Sequence, residues 1–317
     1  MTTKKTKEIE GLEVVSEELD LEIPTAGDLA DVAWEDEGAV EALSVGDPDA
    51  KDDFYTSDDS DDEDDFSKLI TTVDDDNEHL TWLLYGKNGT GKTTILSTVE
   101  GMLIIAADDG TLSIRDKVNK ETTRKIVIDH WEKLEQIYWL LKKGTWSDEG
   151  VTISTRDGKF LVKSLGFDTI TKLANVCMRS VVLGEKAKDA SKDIVSPTQR
   201  DWGTMTQKMS YWLALFKEFP LQKVWLCQEN ATTDDFENED FSVFPALSRA
   251  LRTFVTAEAD IIGRMYIKQV NKEGKSIPQF RLLATPNERF LTKDRSNKVG
   301  HVVNPRLDKL YGKVFSD

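Results

Sequence analysis

The chain reads Gly86-Lys87-Asn88-Gly89-Thr90-Gly91-Lys92-Thr93 just after its first quarter. This stretch fits the pattern G-x-x-x-x-G-K-[ST], a glycine-rich loop that cradles phosphate groups. An apolar run, residues 81–85, precedes it, and residues 94–99 follow it with the pattern of a first helix. A strand, a loop and a helix in this order are the context that a phosphate loop requires. The chain is therefore predicted to bind a nucleoside triphosphate, and a chance glycine- and lysine-rich loop is the alternative.

Each part of the loop has its own expected task. Its three glycines allow the backbone to curl, so that successive N–H groups point at phosphate oxygens. Lys92 is expected to reach the β- and γ-phosphates of ATP, and Thr93 to offer its hydroxyl to Mg²⁺. The predicted nucleotide-binding residues are Gly86, Lys87, Asn88, Gly89, Thr90, Gly91, Lys92, Thr93 and Thr94.

The negative charge of the chain is concentrated near its N-terminus. The formal net charge is −17, but residues 1–80 hold 28 of the 58 acidic and 5 of the 41 basic side chains. Residues 81–317 therefore carry 30 acidic and 36 basic side chains and are mildly basic. Runs of like charge repel themselves, and apolar residues are sparse in this segment. We predict a disordered acidic tail over residues 1–66 and a folded domain over residues 67–317. The tail either only solvates the protein, or mimics nucleic acid and then competes for the basic domain or recruits a partner.

The cysteines and the apolar residues indicate the compartment. Cys177 and Cys227 lie in apolar segments and show no metal-binding or redox spacing, so we predict buried thiols in a reducing cytosol. The chain has no apolar run long enough to cross a membrane and no secretory signal near its N-terminus. The sequence therefore predicts a cytoplasmic protein without a membrane partner.

Beyond the phosphate loop, apolar runs alternate with amphipathic segments. Residues 102–107, 125–128, 165–168 and 224–227 read as buried strands. Helical periodicity marks residues 131–143 and 169–182, among others. Such alternation predicts an α/β fold with a mainly parallel central sheet flanked by helices.

Three polar positions at predicted strand ends are candidates for the chemistry around the phosphates. Asp168 follows an apolar strand and is the preferred metal ligand, although it could instead only cap the next helix. Asp108 or Asp109 could act as the general base, or the pair with Gly110 could form a turn. Gln228 could sense the γ-phosphate or only end its strand.

This constellation resembles the RecA-like core ATPases, and in particular RecA, RadA and KaiC. The resemblance covers roughly residues 67–300. It implies that Asp109 takes the position of a catalytic Glu, a change that shortens the side chain. It also implies that Asp168 is the metal Asp and Gln228 the glutamine of the terminal strand. Lys293 and Arg295 resemble a K-x-R segment that reaches the γ-phosphate of a neighbouring subunit, although Asn297 stands where that family has Gly. A basic, exposed strand end is the alternative.

The chain also resembles small phage-encoded "AAA family" ATPases used in recombination beside annealing and single-strand-binding proteins. The matching segments are the phosphate loop and residues 167–171, 244–247, 259–262 and 291–295. The resemblance implies an ATPase that acts with single-stranded DNA in phage recombination or repair, in the cytoplasm of a bacterial host. It further implies a homo-oligomer with ATP between subunits. An annealing or single-strand-binding partner is expected to bind the acidic tail.

The same resemblance points to two loops as the DNA contact. The first, residues 184–203, carries Trp202 and four basic residues, which are Lys186, Lys188, Lys192 and Arg200. Basic side chains bind phosphates without sequence preference, and an aromatic ring can stack on a base. The second loop, residues 230–244, is acidic, although Arg249 and Arg252 follow it. Solvated basic residues and a core Trp202 are the alternatives.

Several functions fit these observations. A DNA-stimulated ATPase is the first, and a helicase or packaging motor is the second. The third is a nucleotide-gated adaptor with little turnover, which the Asp at position 109 and the acidic leader favour. A small-molecule kinase is the weakest, because no arginine-rich lid segment is present in the sequence.

Overall fold

The computed structural model describes residues 79–108, 121–189, 191, 193–231, 243–272 and 274–315. The predicted tail, residues 1–66, and the candidate base Asp109 lie outside the described residues. The predictions made for them, including the domain boundary after residue 66, stay predictions.

A central sheet organises the described residues. The strands are β1 (Thr81–Gly86), β2 (Met102–Ala106), β3 (Thr123–Val127), β4 (Thr145–Ser147), β5 (Gly150–Thr155), β6 (Gly158–Val162), β7 (Ser164–Asp168), β8 (Gln222–Ala231), β9 (Val243–Pro245), β10 (Ile261–Lys272), β11 (Lys275–Leu283), β12 (Lys293–Asp294) and β13 (His301–Val303). In space the main sheet has the order β13-β11-β10-β1-β8-β7-β2-β3. The strands from β10 to β3 in this order are parallel to one another. The strand β11 runs antiparallel to β10, and β13 runs antiparallel to β11. The predicted fold class is confirmed.

The helices cover both faces of this sheet. They are α1 (Lys92–Leu96), α2 (Glu132–Lys142), α3 (Ile170–Lys188), α4 (Gln199–Lys217), α5 (Arg249–Glu258) and α6 (Leu307–Phe315). Leu83 and Tyr85 of β1 belong to the core formed with α2, α3, α4 and α5. Trp82 and Leu84 belong to the opposite core, which includes α1 and α6. Because both faces of β1 are buried, the strand is a continuous apolar run, as the sequence predicts.

Some element limits differ from the predicted ones. The helix α1 begins inside the phosphate loop at Lys92 and ends at Leu96, earlier than the predicted residues 94–99. The helix α3 continues to Lys188, six residues beyond the predicted end. None of the described helices is long and apolar enough to cross a membrane.

The hairpin of β10 and β11 extends past the end of β1. Pairing between β1 and β10 ends at Tyr85 and Arg264, whereas β10 and β11 stay paired up to Lys272 and Lys275. The second half of β10 therefore pairs only with β11 among the described strands. The hairpin consequently rises above the carboxyl edge of the sheet, beside the phosphate loop.

A buried lysine at the start of β8 predicts a pH-dependent stability. Burial of Lys223 lowers its pKa to about 8, and the nearby Lys217 shifts it in the same direction. The unfolded chain binds this proton up to about pH 10.4, so stability rises between pH 8 and pH 10 as the folded protein loses the buried charge. We expect wild type to gain about 2 kcal/mol over this interval relative to Lys223→Met. Urea unfolding of both proteins at pH 7 and pH 10 measures this gain. A difference between them that stays constant with pH would contradict the prediction.

Candidate functional site

The carboxyl edge of the sheet brings together three segments that are distant in sequence. The strand β8 lies between β1 and β7, with Gly86 opposite Gln228 and Leu226 opposite Asp168. The phosphate loop, the candidate metal ligand and the candidate sensor therefore meet at one edge. This is the location at which open α/β sheets bind ligands.

Two glycines give the phosphate loop its shape. A Cβ atom at Gly86 would lie 2.2 Å from the backbone oxygen of Met265 on β10, so only glycine fits there. Gly91 has φ of +87° and immediately precedes α1, a conformation that other residues adopt only with strain. The Thr90 hydroxyl donates a hydrogen bond to the Lys87 carbonyl at 2.8 Å and holds the loop closed. These contacts direct the loop backbone toward the start of α1.

The ammonium group of Lys92 lies over this loop. It donates hydrogen bonds to the carbonyl oxygens of Gly86 at 2.6 Å and Lys87 at 2.8 Å. Burial lowers the pKa of Lys92, while the carboxylate of Asp168 opposes this shift. The loop therefore holds a buried amine, a group that binds phosphate oxygens through charge-assisted hydrogen bonds.

Thr93 and Asp168 form the candidate magnesium site. The Thr93 hydroxyl donates a hydrogen bond to Asp168 Oδ2 at 2.6 Å. Burial raises the pKa of Asp168, and the nearby Asp108 adds to this effect. The alternative that Asp168 only caps a helix is wrong, because Thr169 caps α3 by accepting a hydrogen bond from the Lys172 N–H at 3.2 Å.

A hydroxyl and one carboxylate fit what Mg²⁺ needs in such a site. The described residues hold no cluster of three or more His, Cys, Asp or Glu side chains that could bind a metal. Mg²⁺ usually keeps several waters and binds through one or two protein groups together with substrate phosphates. Thr93 and Asp168 are therefore a sufficient protein contribution when a nucleotide supplies the phosphate oxygens.

Of the two candidate general bases, Asp108 and Asp109, the structure describes only Asp108. Asp108 forms an ion pair with Lys172 from the first turn of α3. Asp109 lies outside the described residues, so its assignment as the water-activating carboxylate stays a prediction.

Gln228 takes a place beside the loop, but it does not end its strand. The strand β8 continues to Ala231 and pairs with β9, so the expectation of a strand end at Gln228 is wrong. The Gln228 N–H donates a hydrogen bond to the Thr171 hydroxyl at 3.1 Å, which ties β8 to the first turn of α3. The pairing of β8 with β9 involves residues 229–231 and 243–245, which have no simple periodicity of their own. The sequence therefore carried little signal for it.

The region that carries this geometry matches a known protein family. The model of a family described as "AAA domain" matches residues 78–296, about two thirds of the chain. The chain belongs to the AAA domain family. No curated protein matches it. Membership places the chain among the AAA-type P-loop ATPases, for which nucleotide binding and hydrolysis are the expected activities, and the loop, Thr93 and Asp168 lie inside the matched region.

A buried ion pair in this AAA domain was not predicted. Arg264 of β10 binds Glu229 of β8 through two hydrogen bonds of 2.7 and 3.2 Å, and the side chains are 17% and 2% exposed. The strand β1 lies between these strands, so the pair joins them across β1 where the phosphate loop begins. The Arg264 guanidinium also lies 4.3 Å from the ring centre of Phe290. Arg264 within the otherwise apolar first half of β10 was the sequence signal that could have indicated this ion pair.

Lys293 and Arg295 are not brought to the phosphate loop of their own chain. The strand β12 pairs with the first residues of β10, at the amino edge of the sheet. Lys293 Nζ donates to the carbonyl oxygens at the end of α5, including that of Ala259 at 2.6 Å. Arg295 donates to Asp260 Oδ1 at 2.8 Å, and Asp260 Oδ2 accepts from the Thr81 N–H. Both cations therefore hold the amino edge of the AAA domain together.

Half of the predicted DNA-contacting loop is helical, because α3 ends at Lys188 and α4 begins at Gln199. Lys186 and Lys188 lie in the last turn of α3, and Arg200 lies in the first turn of α4, while Lys192 is outside the described residues. Trp202 is partly buried and packs against the main core, which supports the alternative of a core residue. Most of the second loop, residues 232–242, is also outside the described residues. Beyond it, Arg252 lies over the Phe244 ring at 3.9 Å.

Removing the Asp168 charge should test the metal site. In Asp168→Asn the side chain keeps its size and can still accept from Thr93, but it loses its charge for Mg²⁺. We expect ATP turnover at fixed Mg²⁺ to fall about 10- to 100-fold, and higher Mg²⁺ to restore part of it. Asp157→Asn, in the exposed turn between β5 and β6, is the matched control. A Mg²⁺ titration identical in Asp168→Asn and wild type would contradict the assignment.

Proposed function

We propose that this chain is a Mg²⁺-dependent ATPase that binds single-stranded DNA and acts in phage recombination or repair. The observation that carries the ATPase part is the hydrogen bond between Thr93 and Asp168 beside the buried ammonium of Lys92. A loop of inward N–H groups, a lysine and a hydroxyl–carboxylate pair are the parts that ATP-hydrolysing P-loop proteins share. The DNA and recombination parts rest on the family resemblance.

The side chains around the phosphate loop have different roles in the proposed hydrolysis. Lys92 binds the β- and γ-phosphates and offsets the negative charge that develops during transfer. Thr93 and Asp168 hold Mg²⁺, which supplies charge neutralisation for the phosphates. Gln228, opposite Gly86, orients the attacking water or senses the γ-phosphate. Asp109 or Asp108 accepts the proton of that water.

The second half of the site is proposed to come from a neighbouring copy. Lys293 and Arg295 lie at the amino edge of the sheet, away from the carboxyl edge that carries their own phosphate loop. Any contact that they make with a nucleotide must therefore be with the nucleotide of another subunit. A homo-oligomer with ATP between subunits satisfies this requirement.

Single-stranded DNA is the proposed polymer. Lys186 and Lys188 lie in the last turn of α3 and Arg200 lies in the first turn of α4. All three side chains are exposed or partly exposed, as contact with a phosphate backbone requires, although Lys188 also forms an ion pair with Glu185 at 2.9 Å. The acidic tail is proposed to recruit an annealing or single-strand-binding protein.

The decisive experiment measures ATP turnover without DNA, with single-stranded DNA and with duplex DNA, each at low and high salt. We expect single-stranded DNA to raise turnover, and the stimulation to weaken as salt rises, because counterions compete for the basic side chains. A triple variant of Lys186, Lys188 and Arg200 to Glu should lose the stimulation and keep the basal turnover. Equal turnover with and without DNA in the assembled oligomer counts against the DNA role.

A nucleotide-gated adaptor is the second candidate. It is favoured by the ion pair of Asp108 with Lys172, which engages one of the two possible bases, and by Asp rather than the family's Glu at position 109. An adaptor would bind ATP tightly, turn it over very slowly, and lose its protein partner in Lys92→Ala. The turnover measurement separates it from the first candidate.

A further inference from the structure

Phe280 presents an exposed aromatic ring beside the phosphate loop. The ring is 38% exposed, and its nearest carbon would lie 3.2 Å from a Cβ atom built on Gly91. Phe280 pairs across the hairpin with Ile267, which is 39% exposed. Large apolar side chains are usually exposed singly, whereas these two form a pair that reaches the nucleotide loop.

The backbone of Phe280 is fixed on both sides. It pairs with β10 at Ile267, and its carbonyl oxygen accepts a hydrogen bond from the Asn304 N–H at 2.7 Å. A backbone held by two neighbouring segments keeps the Cα atom of Phe280, and so the base of its ring, at a fixed place relative to Gly91. Such a ring can bind a flat group without paying the cost of ordering a loop.

The order of strands shows on which side of the loop the base of a nucleotide lies. Thr93 and Asp168 mark the side of the β- and γ-phosphates, and Asp168 ends β7, two strands from β1. The sugar and base must leave the loop away from that carboxylate. The strand β11, which carries Phe280, is also two strands from β1, on the other side. Neighbouring strands are about 4.8 Å apart, so β11 lies about 10 Å from β1, within reach of a nucleotide bound by the loop.

We propose that Phe280 is the base-stacking residue of the nucleotide site, with Ile267 extending the apolar surface beneath the base. This inference rests on the proposed nucleotide binding and adds a residue that determines affinity for the base. Stacking on an aromatic face tolerates every base, because each base has a π-face. Phe280 therefore contributes affinity for the nucleoside part and leaves the contacts with the phosphates unchanged.

The test compares two ligands, ATP and inorganic tripolyphosphate, by calorimetry with the full chain. In Phe280→Leu the side chain keeps apolar contact with Gly91 but has no ring. We expect the Kd for ATP to rise about 5- to 100-fold and the Kd for tripolyphosphate to stay the same. Phe280→Trp, which keeps an aromatic ring, should bind ATP about as tightly as wild type. The control is Ile277→Ala, an exposed apolar residue of β11 whose side chain points to the opposite face of the hairpin, and it should bind both ligands as wild type does.

Two outcomes overturn the inference. If Phe280→Leu weakens ATP and tripolyphosphate equally, the ring only shapes the loop around Gly91. If it weakens neither, the base lies elsewhere. If the proposed nucleotide binding is itself wrong, the result is different, because wild type then binds neither ATP nor tripolyphosphate.

Discussion

Lys92→Ala is expected to lose ATP turnover at least about 100-fold, because removal of one preorganised donor to a developing charge costs this much in other enzymes. The ammonium group of Lys92 already lies over the loop, 2.6 Å from the Gly86 carbonyl oxygen and 2.8 Å from that of Lys87. It needs only a short movement to bind phosphate oxygens. Alanine removes the one cationic group that the loop buries against the carboxylate of Asp168. ATP binding by calorimetry and phosphate release both measure the loss.

The fold should survive this change. Burial lowers the pKa of Lys92, which means that the buried charge destabilises the folded protein. Alanine removes this unfavourable desolvation. Lys159→Ala, an exposed lysine of β6, is the matched control and should keep wild-type turnover. If Lys92→Ala binds and hydrolyses ATP like wild type, the phosphate loop is not the nucleotide site, and the adaptor and ATPase proposals both fail.

Arg264→Met is expected to destabilise the folded protein by about 3–5 kcal/mol, because it leaves a buried carboxylate without its partner. The Glu229 side chain is 2% exposed and accepts two hydrogen bonds from the guanidinium. Methionine fills similar space beside Phe290 but donates no hydrogen bond. Urea unfolding followed by circular dichroism gives the change in the free energy of unfolding.

A double variant separates the ion pair from simple packing. In Arg264→Met with Glu229→Leu no charge remains buried, and replacing a buried pair by apolar residues is often nearly neutral. We therefore expect the double variant to recover most of the stability that the single variant loses. Equal or additive losses would contradict this account and would show that Arg264 acts through its packing on Phe290.

The sequence predicted those site residues that form one continuous motif or that come directly at the end of a strand. The phosphate loop is one continuous pattern, and its strand–loop–helix context can be read from neighbouring residues. Asp168 ends the predicted strand of residues 165–168, and parallel strands place their carboxyl ends at one edge. Gln228 was correctly placed at that edge, although the hairpin that continues β8 was missed. Pairing with β9 depends on residues about fifteen positions away.

Contacts between distant residues could not be predicted in this way. Glu229 and Arg264 are 35 residues apart, and each alone is an ordinary charged residue near a strand. Phe280 belongs to a hairpin whose register, and not its composition, sets the ring against Gly91. Lys293 has the spacing of a neighbour-reaching motif, yet β12 pairs at the amino edge, where its ammonium caps α5.

The sequence by itself determined that this chain has an α/β core with a phosphate loop, because a glycine pattern and apolar periodicity act locally along the backbone. It also determined which carboxylate stands at the edge, because strand direction is shared in a parallel sheet. Only the tertiary structure decided that Arg264 pairs with Glu229 across β1 and that Phe280 lies against the loop. Each of these depends on strand order and register, which are set by the packing of the whole sheet between two layers of helices.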